Sequence, residues 1–304
     1  MSARHHAARV TGVLATALAL MLAAASASAG DTRALVVAGL GGETAYEEEF
    51  QQQATRLRDR LADVTDDVTL LKGDAASTPA VTAALEELSA RLGADDTLLF
   101  AFIGHGSWDD EHFRFNVPGK DFTAAELGGW LDAAPAENQI VIVTGAASGA
   151  VQDVLAADGR TLITGTRSGD QRNTTVFGRY FTAALSDDAA DTDKDGRITA
   201  VEAFRFAEAS VAVHYSRAGE MSVEHPVSSG PEPVLVLARL EPGRERSTAD
   251  AGLIARRDEL ELDIASLKSR RDDYTTAAYF AELQTLLLEM ATIEAQLTAK
   301  DGGR

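Results

Sequence analysis

Short continuous apolar runs alternate with longer stretches of helical spacing through most of this chain. Arg33–Gly39 reads as a buried strand ending in a Gly-rich loop, and Tyr46–Leu61 has helical periodicity. Val68–Leu71 is a second strand. Pro79–Leu92 reads as a helix, with Thr78 as its N-cap and Pro79 in its first turn. Thr97–Ile103 is apolar throughout, as expected of a central parallel strand covered on both faces. Thr123–Leu131 is a short helix capped by Thr123. Ile140–Val143 and Thr161–Thr164 are strands, Thr175–Leu185 and Val201–Tyr215 are helices, and Pro233–Ala238 is a last strand. The alternation predicts an α/β fold, a mainly parallel sheet sandwiched by helices, with sites at the C-terminal strand ends.

The pattern changes after Glu241-Pro242-Gly243. Ala249–Leu297 is charged and Leu-rich, and Leu253, Leu260, Leu267 and Tyr274 recur every seven residues. Leu283, Met290 and Leu297 do the same, joined by Phe280 and Leu287, and Arg270–Thr276 breaks the pattern between the two sets. A C-terminal helical hairpin over 243–304 fits best, with one long coiled coil as the alternative. Such a stripe is covered by the chain's own domain, by a second copy or by a protein or peptide partner.

The N-terminus changes the compartment. Arg4 and Arg9 precede an apolar run from Val13 to Ala25, and Ala27-Ser28-Ala29 is a cleavage pattern before Gly30. Residues 1–29 therefore read as a secretory signal peptide, too short in its apolar core to span a bilayer. The expected protein is periplasmic or secreted, with no transmembrane span and an α/β domain over 30–242. The formal charge is −19; the leader carries two arginines and no acid, so the mature chain stands near −21. That balance disfavours nucleic acid and anionic lipid and favours cations. No cysteine is present, which excludes thiol catalysis and Cys-ligated metals.

Asp191-Thr192-Asp193-Lys194-Asp195-Gly196-Arg197-Ile198-Thr199-Ala200-Val201-Glu202 matches every position of an EF-hand calcium loop. Asp191, Asp193 and Asp195 offer carboxylate oxygens, Arg197 its backbone carbonyl, Thr199 the ninth position where water often intervenes, and Glu202 two oxygens. Gly196 permits the left-handed backbone that wraps the loop around the ion, and Ile198 anchors the loop. Calcium is the expected cofactor. Outside the cytoplasm a site of about 10⁻⁴ to 10⁻³ M suffices.

Ile103-Gly104-His105-Gly106-Ser107 follows the central strand, and Thr144-Gly145-Ala146-Ala147-Ser148-Gly149 follows the next. With Thr164–Asn173, Phe177–Phe181 and Glu202-Ala203-Phe204 in order behind them, the chain from Arg33 to Leu240 resembles the caspase/legumain-like (peptidase C13-like) family. The resemblance implies that His105 holds the position of the general base and Ala146 that of the nucleophilic Cys. A methyl group supplies no thiolate, so the family's proteolysis does not carry over. Ser148 is read as an N-cap. It is also the alternative nucleophile of an unorthodox hydrolase, as is Thr144, with His105 as base. The Trp108–Glu111 run is a solvated loop or part of a substrate cleft, and Arg167 and Arg172 are surface residues or ligands for an acidic side chain. His112, His214 and His225 show no metal spacing. The expected function is that of a secreted calcium-binding pseudopeptidase that binds or scaffolds in the cell envelope; a purely structural calcium protein is the third reading.

Overall fold

A computed structural model describes residues 30–232, 235–240 and 270–301, with Leu253, Arg256, Arg257, Leu260, Asp263, Ile264 and Leu267 between them. The leader, Pro233-Val234 and the Glu241–Gly252 junction lie outside the described residues. The central sheet runs β2 (Asp67–Leu71), β1 (Thr32–Ala38), β3 (Thr97–Ile103), β7 (Asn138–Val143), β8 (Arg160–Thr164), β10 (Val227–Ser229). All pairings are parallel except that of β10 with β8.

Alternate residues of the inner strands serve two cores, because successive side chains of a strand point to opposite faces. Ala34, Val36, Leu99, Ala101 and Ile103 face one layer, formed by α1 (Thr44–Leu61), α5 (Phe177–Ala184) and α6 (Ala200–Ala218). Leu35, Val37, Leu98, Phe100 and Phe102 face the other, formed by α2 (Thr78–Ser89), α3 (Ala124–Ala133) and the short α4 (Gln152–Leu155). The uninterrupted apolar run of β3 is thus the signature of a strand buried on both sides. Thr123 caps α3 as expected, and Glu126 completes a reciprocal capping box.

Other expectations shift. The N-cap of α2 is Ser77, not Thr78, whose hydroxyl instead donates to the Lys120 carbonyl; the helix stops at Ser89, ahead of Leu92. Of the Trp108–Glu111 run, Trp108 ends β4 (Gly106–Trp108) and the rest lies in the connection to its antiparallel partner β5 (Phe113–Phe115), which continues to β6 (Phe122–Thr123). Phe113, Phe115 and Phe122 of this small sheet are buried in the second core, with Phe115 and Phe122 stacked at 4.6 Å. The last strand, β11 (Val236–Arg239), does not join the central sheet. It pairs antiparallel with β9 (Arg197–Thr199) inside the Asp-rich loop.

In the tail, α7 spans Thr276–Asp301 after a tight turn at Arg271–Asp273. Arg256 Nε lies 2.8 Å from Glu289 Oε1, a pair nearly equidistant from that turn, so the chain folds back there. Tyr279 and Ile293 are buried and Leu283, Leu286 and Met290 partly so, a seam at alternating spacings of three and four. Phe280 and Leu287 fall one residue off that seam and are 55% and 48% exposed, so they do not belong to the buried stripe as expected. Among the described residues no helix is long and apolar enough to cross a membrane.

Candidate cation loop and strand-end turn

The ends of β3 and β7 meet backbone to backbone. A Cβ on Gly145 would stand 2.0 Å from the Gly104 carbonyl oxygen, so only glycine lets the two turns approach this closely. The backbones around His105 and Ala146 therefore run close together. Their side chains have different surroundings. The His105 ring is packed edge-on against Tyr46 and Phe50 of α1, with centroids 5.4 and 4.9 Å away. Burial holds its pKa below the ordinary histidine value, against the opposing effect of a hydrogen bond to the Gly41 backbone. The imidazole is thus turned toward α1.

The turn after Ala146 is strapped from above. Ala147 sits in the left-handed region at φ 57° and occupies the cap position of a short turn, Ser148–Val151. Its N–H donates to the Gln171 carbonyl at 2.8 Å. Ser148 is 0% exposed. Its hydroxyl accepts the Thr166 N–H at 3.1 Å, while the Gly149 N–H donates to the Thr166 hydroxyl at 2.8 Å. Ser148 is consequently not the N-cap; its oxygen ties two strand ends together. Thr144 is buried against Gly178 of α5, and its carbonyl accepts the Thr175 hydroxyl. Neither hydroxyl is a hydrogen-bond partner of His105. The neighbouring charges are spent as well: Asp109 pairs with Arg114 and Asp110 with Arg172. The Trp108 ring covers Gly169, and Arg167 is exposed.

The loop between α5 and α6 has the opposite character. Single ligand oxygens of Asp191, Asp193 and Asp195 lie within 4.8 Å of one another; Asp191 is buried and the other two are exposed. Asp191 accepts the N–H groups of Asp195 and Gly196, each at 3.1 Å, which folds the loop around its own first carboxylate. Lys194 and Gly196 take the left-handed backbone, φ 62° and 78°. Ile198 is fully buried and anchors the loop, and β9 borrows β11 as its partner. A strand from beyond α6 thus supports the loop.

Glu202 stands apart from the three aspartates. Thr199 caps α6 and Glu202 returns the bond to the Thr199 N–H in a capping box. Its other oxygen accepts the Thr192 N–H and hydroxyl, both at 2.9 Å. Burial alone would raise this carboxyl, but those Thr199 and Thr192 donors outweigh it and hold the pKa at about 2. Asp195 is held below its ordinary range first by the Arg197 side chain, whose Nε is 2.7 Å away. The residues present fit a hard cation. Three carboxylates converge on a glycine-turned loop, the oxygen chemistry is right, and Glu202 is tethered to the loop's second residue. Ligation by Glu202 requires it to release Thr192.

Sequence reasoning missed Glu224, a buried carboxylate that accepts the N–H groups of Val176 and Phe177 at the start of α5 and the Tyr215 hydroxyl at 3.1 Å. Desolvation raises its pKa, partly offset by those donors. An isolated Glu before His225-Pro226 carries no periodic signal that could have marked it.

No family model matches the sequence, and no curated protein matches it. Among solved structures, the chain is similar to protein GSU0716 from Geobacter sulfurreducens, with TM-score 0.44, 15% identity, 69% of this chain and 100% of that one covered. It is also similar to the Drosophila initiator caspase Dronc, with TM-score 0.43, 9% identity, 66% of this chain and 79% of that one covered.

Proposed function

We propose that this chain is a secreted calcium-binding protein built like a caspase/legumain-like peptidase but without its chemistry, acting by binding or scaffolding in the cell envelope. The observation that carries the reading is the convergence of Asp191, Asp193 and Asp195 on one loop that their own backbone holds in place. Like charges gathered this closely repel one another unless a cation, or Arg197 for one of them, offsets the repulsion. Arg197 pairs with Asp195 only, so Asp191 and Asp193 remain for the ion.

The absence of a thiol and the state of the strand-end turn support the non-catalytic half of the reading. Ala146 stands where the family places its nucleophile, and the hydroxyls of Ser148 and Thr144 have no bond to His105. A hydrolase using either hydroxyl needs the base within hydrogen-bond reach. Exposed Phe280, Leu287 and Leu288 on α7 support a protein partner at the C-terminal helices. Secretion rests on the leader pattern at 1–29.

Thermal unfolding tests the central part. A ligand bound only by the folded state adds RT ln(1 + [L]/Kd), about 2.7 kcal/mol at a hundredfold excess over Kd. Calcium raises the melting temperature of wild type, chelator lowers it, and Asp191→Ala responds to neither. Equal responses in both proteins overturn the reading.

A further inference from the structure

We propose that the cavity between α5 and α6 binds a small amphipathic anion, a carboxylate or sulfonate carried on an elongated apolar body. The cavity has a volume of about 440 Å³, within the range of small-molecule sites. Its existence follows from α6, which carries two apolar faces rather than one. Ala203, Ala207, Val211 and Tyr215 are buried in the core. Phe206, which also packs against the core, together with Ala209 and Val213 at spacings of three and four, forms a strip that lines the cavity with Tyr180 of α5. Val213 on that strip is 47% exposed. An apolar strip of this kind calls for an apolar occupant.

The charges at its ends fix the head group. Arg217 borders the cavity and makes no hydrogen bond or ion pair among the described residues. Arg205, at the other end, is held by Glu232 at 2.8 Å. On a chain with a formal charge of −19, an unpaired guanidinium beside an apolar strip is a local reversal of sign that attracts an anion. Its planar fork matches a carboxylate or sulfonate. Glu202 lies in the wall, but both its oxygens are already taken by Thr192 and Thr199 donors. From Arg217 to Phe206 the helix advances about 16 Å, which suits a medium-length chain laid along the strip with its head at Arg217.

The test uses the full mature chain in chelator, so that its outcome is independent of the calcium reading. The fluorescent anion 1-anilinonaphthalene-8-sulfonate is titrated in and then displaced with decanoate or with decyltrimethylammonium, which has a similar tail and the opposite charge. Saturable fluorescence is expected, displaced by decanoate and only at far higher concentration by the cation. Arg217→Ala should weaken decanoate roughly tenfold, through the lost charge-assisted bond. Val213→Asp, at an exposed position, should abolish displaceable binding while leaving the melting temperature near that of wild type. No saturable binding, equal displacement by the two amphiphiles, or undiminished binding to Val213→Asp overturns the proposal.

Discussion

The strand-end turn and the Asp-rich loop both carry polar groups at places where α/β folds build sites, yet they treat those groups differently. At the turn the Ser148 hydroxyl and nearly every charge have an internal partner: Ser148 with Thr166, Asp109 with Arg114, Asp110 with Arg172. In the loop three carboxylates converge and only Asp195 has a cationic partner. Buried polar groups that are mutually satisfied stabilise a shape and ask for nothing further. A gathered set of like charges raises the energy of the fold until something binds. The difference teaches that a motif's place in the sequence says less about function than the state of the hydrogen bonds around it.

The sharpest way to break this contrast is at Gly149. A Cβ there would stand 2.0 Å from the Ser168 nitrogen and 2.1 Å from the Arg167 carbonyl carbon, backbone atoms that cannot yield cheaply. Gly149→Ala should cost about 3 kcal/mol or more in urea unfolding, at the upper end of overpacking effects. A neutral outcome would mean that the 165–171 strap is loose and the turn open to ligands.

Ser148→Ala is the next test in size. It leaves the Thr166 N–H without its acceptor in a buried place, which costs about 1–3 kcal/mol. Calcium affinity should not move, because the turn and the loop share no bond. Loss of a hydrolytic activity in this variant would instead revive the hydroxyl as a nucleophile.

Glu224 sharpens the comparison from the side of buried charge, since it is a buried carboxylate bonded to the start of α5. Its folded pKa lies above the ordinary 4.5, so the folded state binds the proton more tightly than the unfolded one. Stability should therefore fall as pH rises from about 4.5 through the raised value, and the loss should be complete above it. Glu224→Gln should remove that component of the slope when unfolding is followed at several pH values. An unchanged slope would show that its donors from Val176, Phe177 and Tyr215 fully offset burial.

The smallest expected effect is that of truncation. The central sheet ends with β10 and the loop's partner strand with Arg239, so a chain stopped after Pro242 should fold and bind calcium as before, by circular dichroism and titration. An insoluble truncation would place part of the core cover in the tail.

Much of the fold was legible because a strand buried on both faces must be apolar throughout, and β1, β3 and β7 are. The Thr123 cap was legible because it is local; the Thr199 capping box was hidden by the reading of Thr199 and Glu202 as ion ligands. The small β4–β6 sheet was not, since strands of two or three residues show no period and Phe113, Phe115 and Phe122 read as scattered. The α2 cap expected at Thr78 falls one residue earlier, at Ser77, because adjacent hydroxyls look alike in sequence and the Thr78 hydroxyl is taken by the Lys120 carbonyl. In the tail, Phe280 and Leu287 recur at seven like the true seam and differ from it only in phase. At the site, the loop could be read because its carboxylates lie within one local segment. The Ser148–Thr166 bond spans two strand ends, 18 residues apart, and no spacing rule reaches it.

Calorimetric titration of calcium into the mature protein tests the central claim most directly. The account predicts one site at or below millimolar dissociation constant. Glu202→Gln, which replaces a bidentate carboxylate by a neutral amide, should weaken it by more than about tenfold. Ser148→Ala should bind as wild type does. No heat from wild type at millimolar calcium, or equal binding by Glu202→Gln, would contradict it.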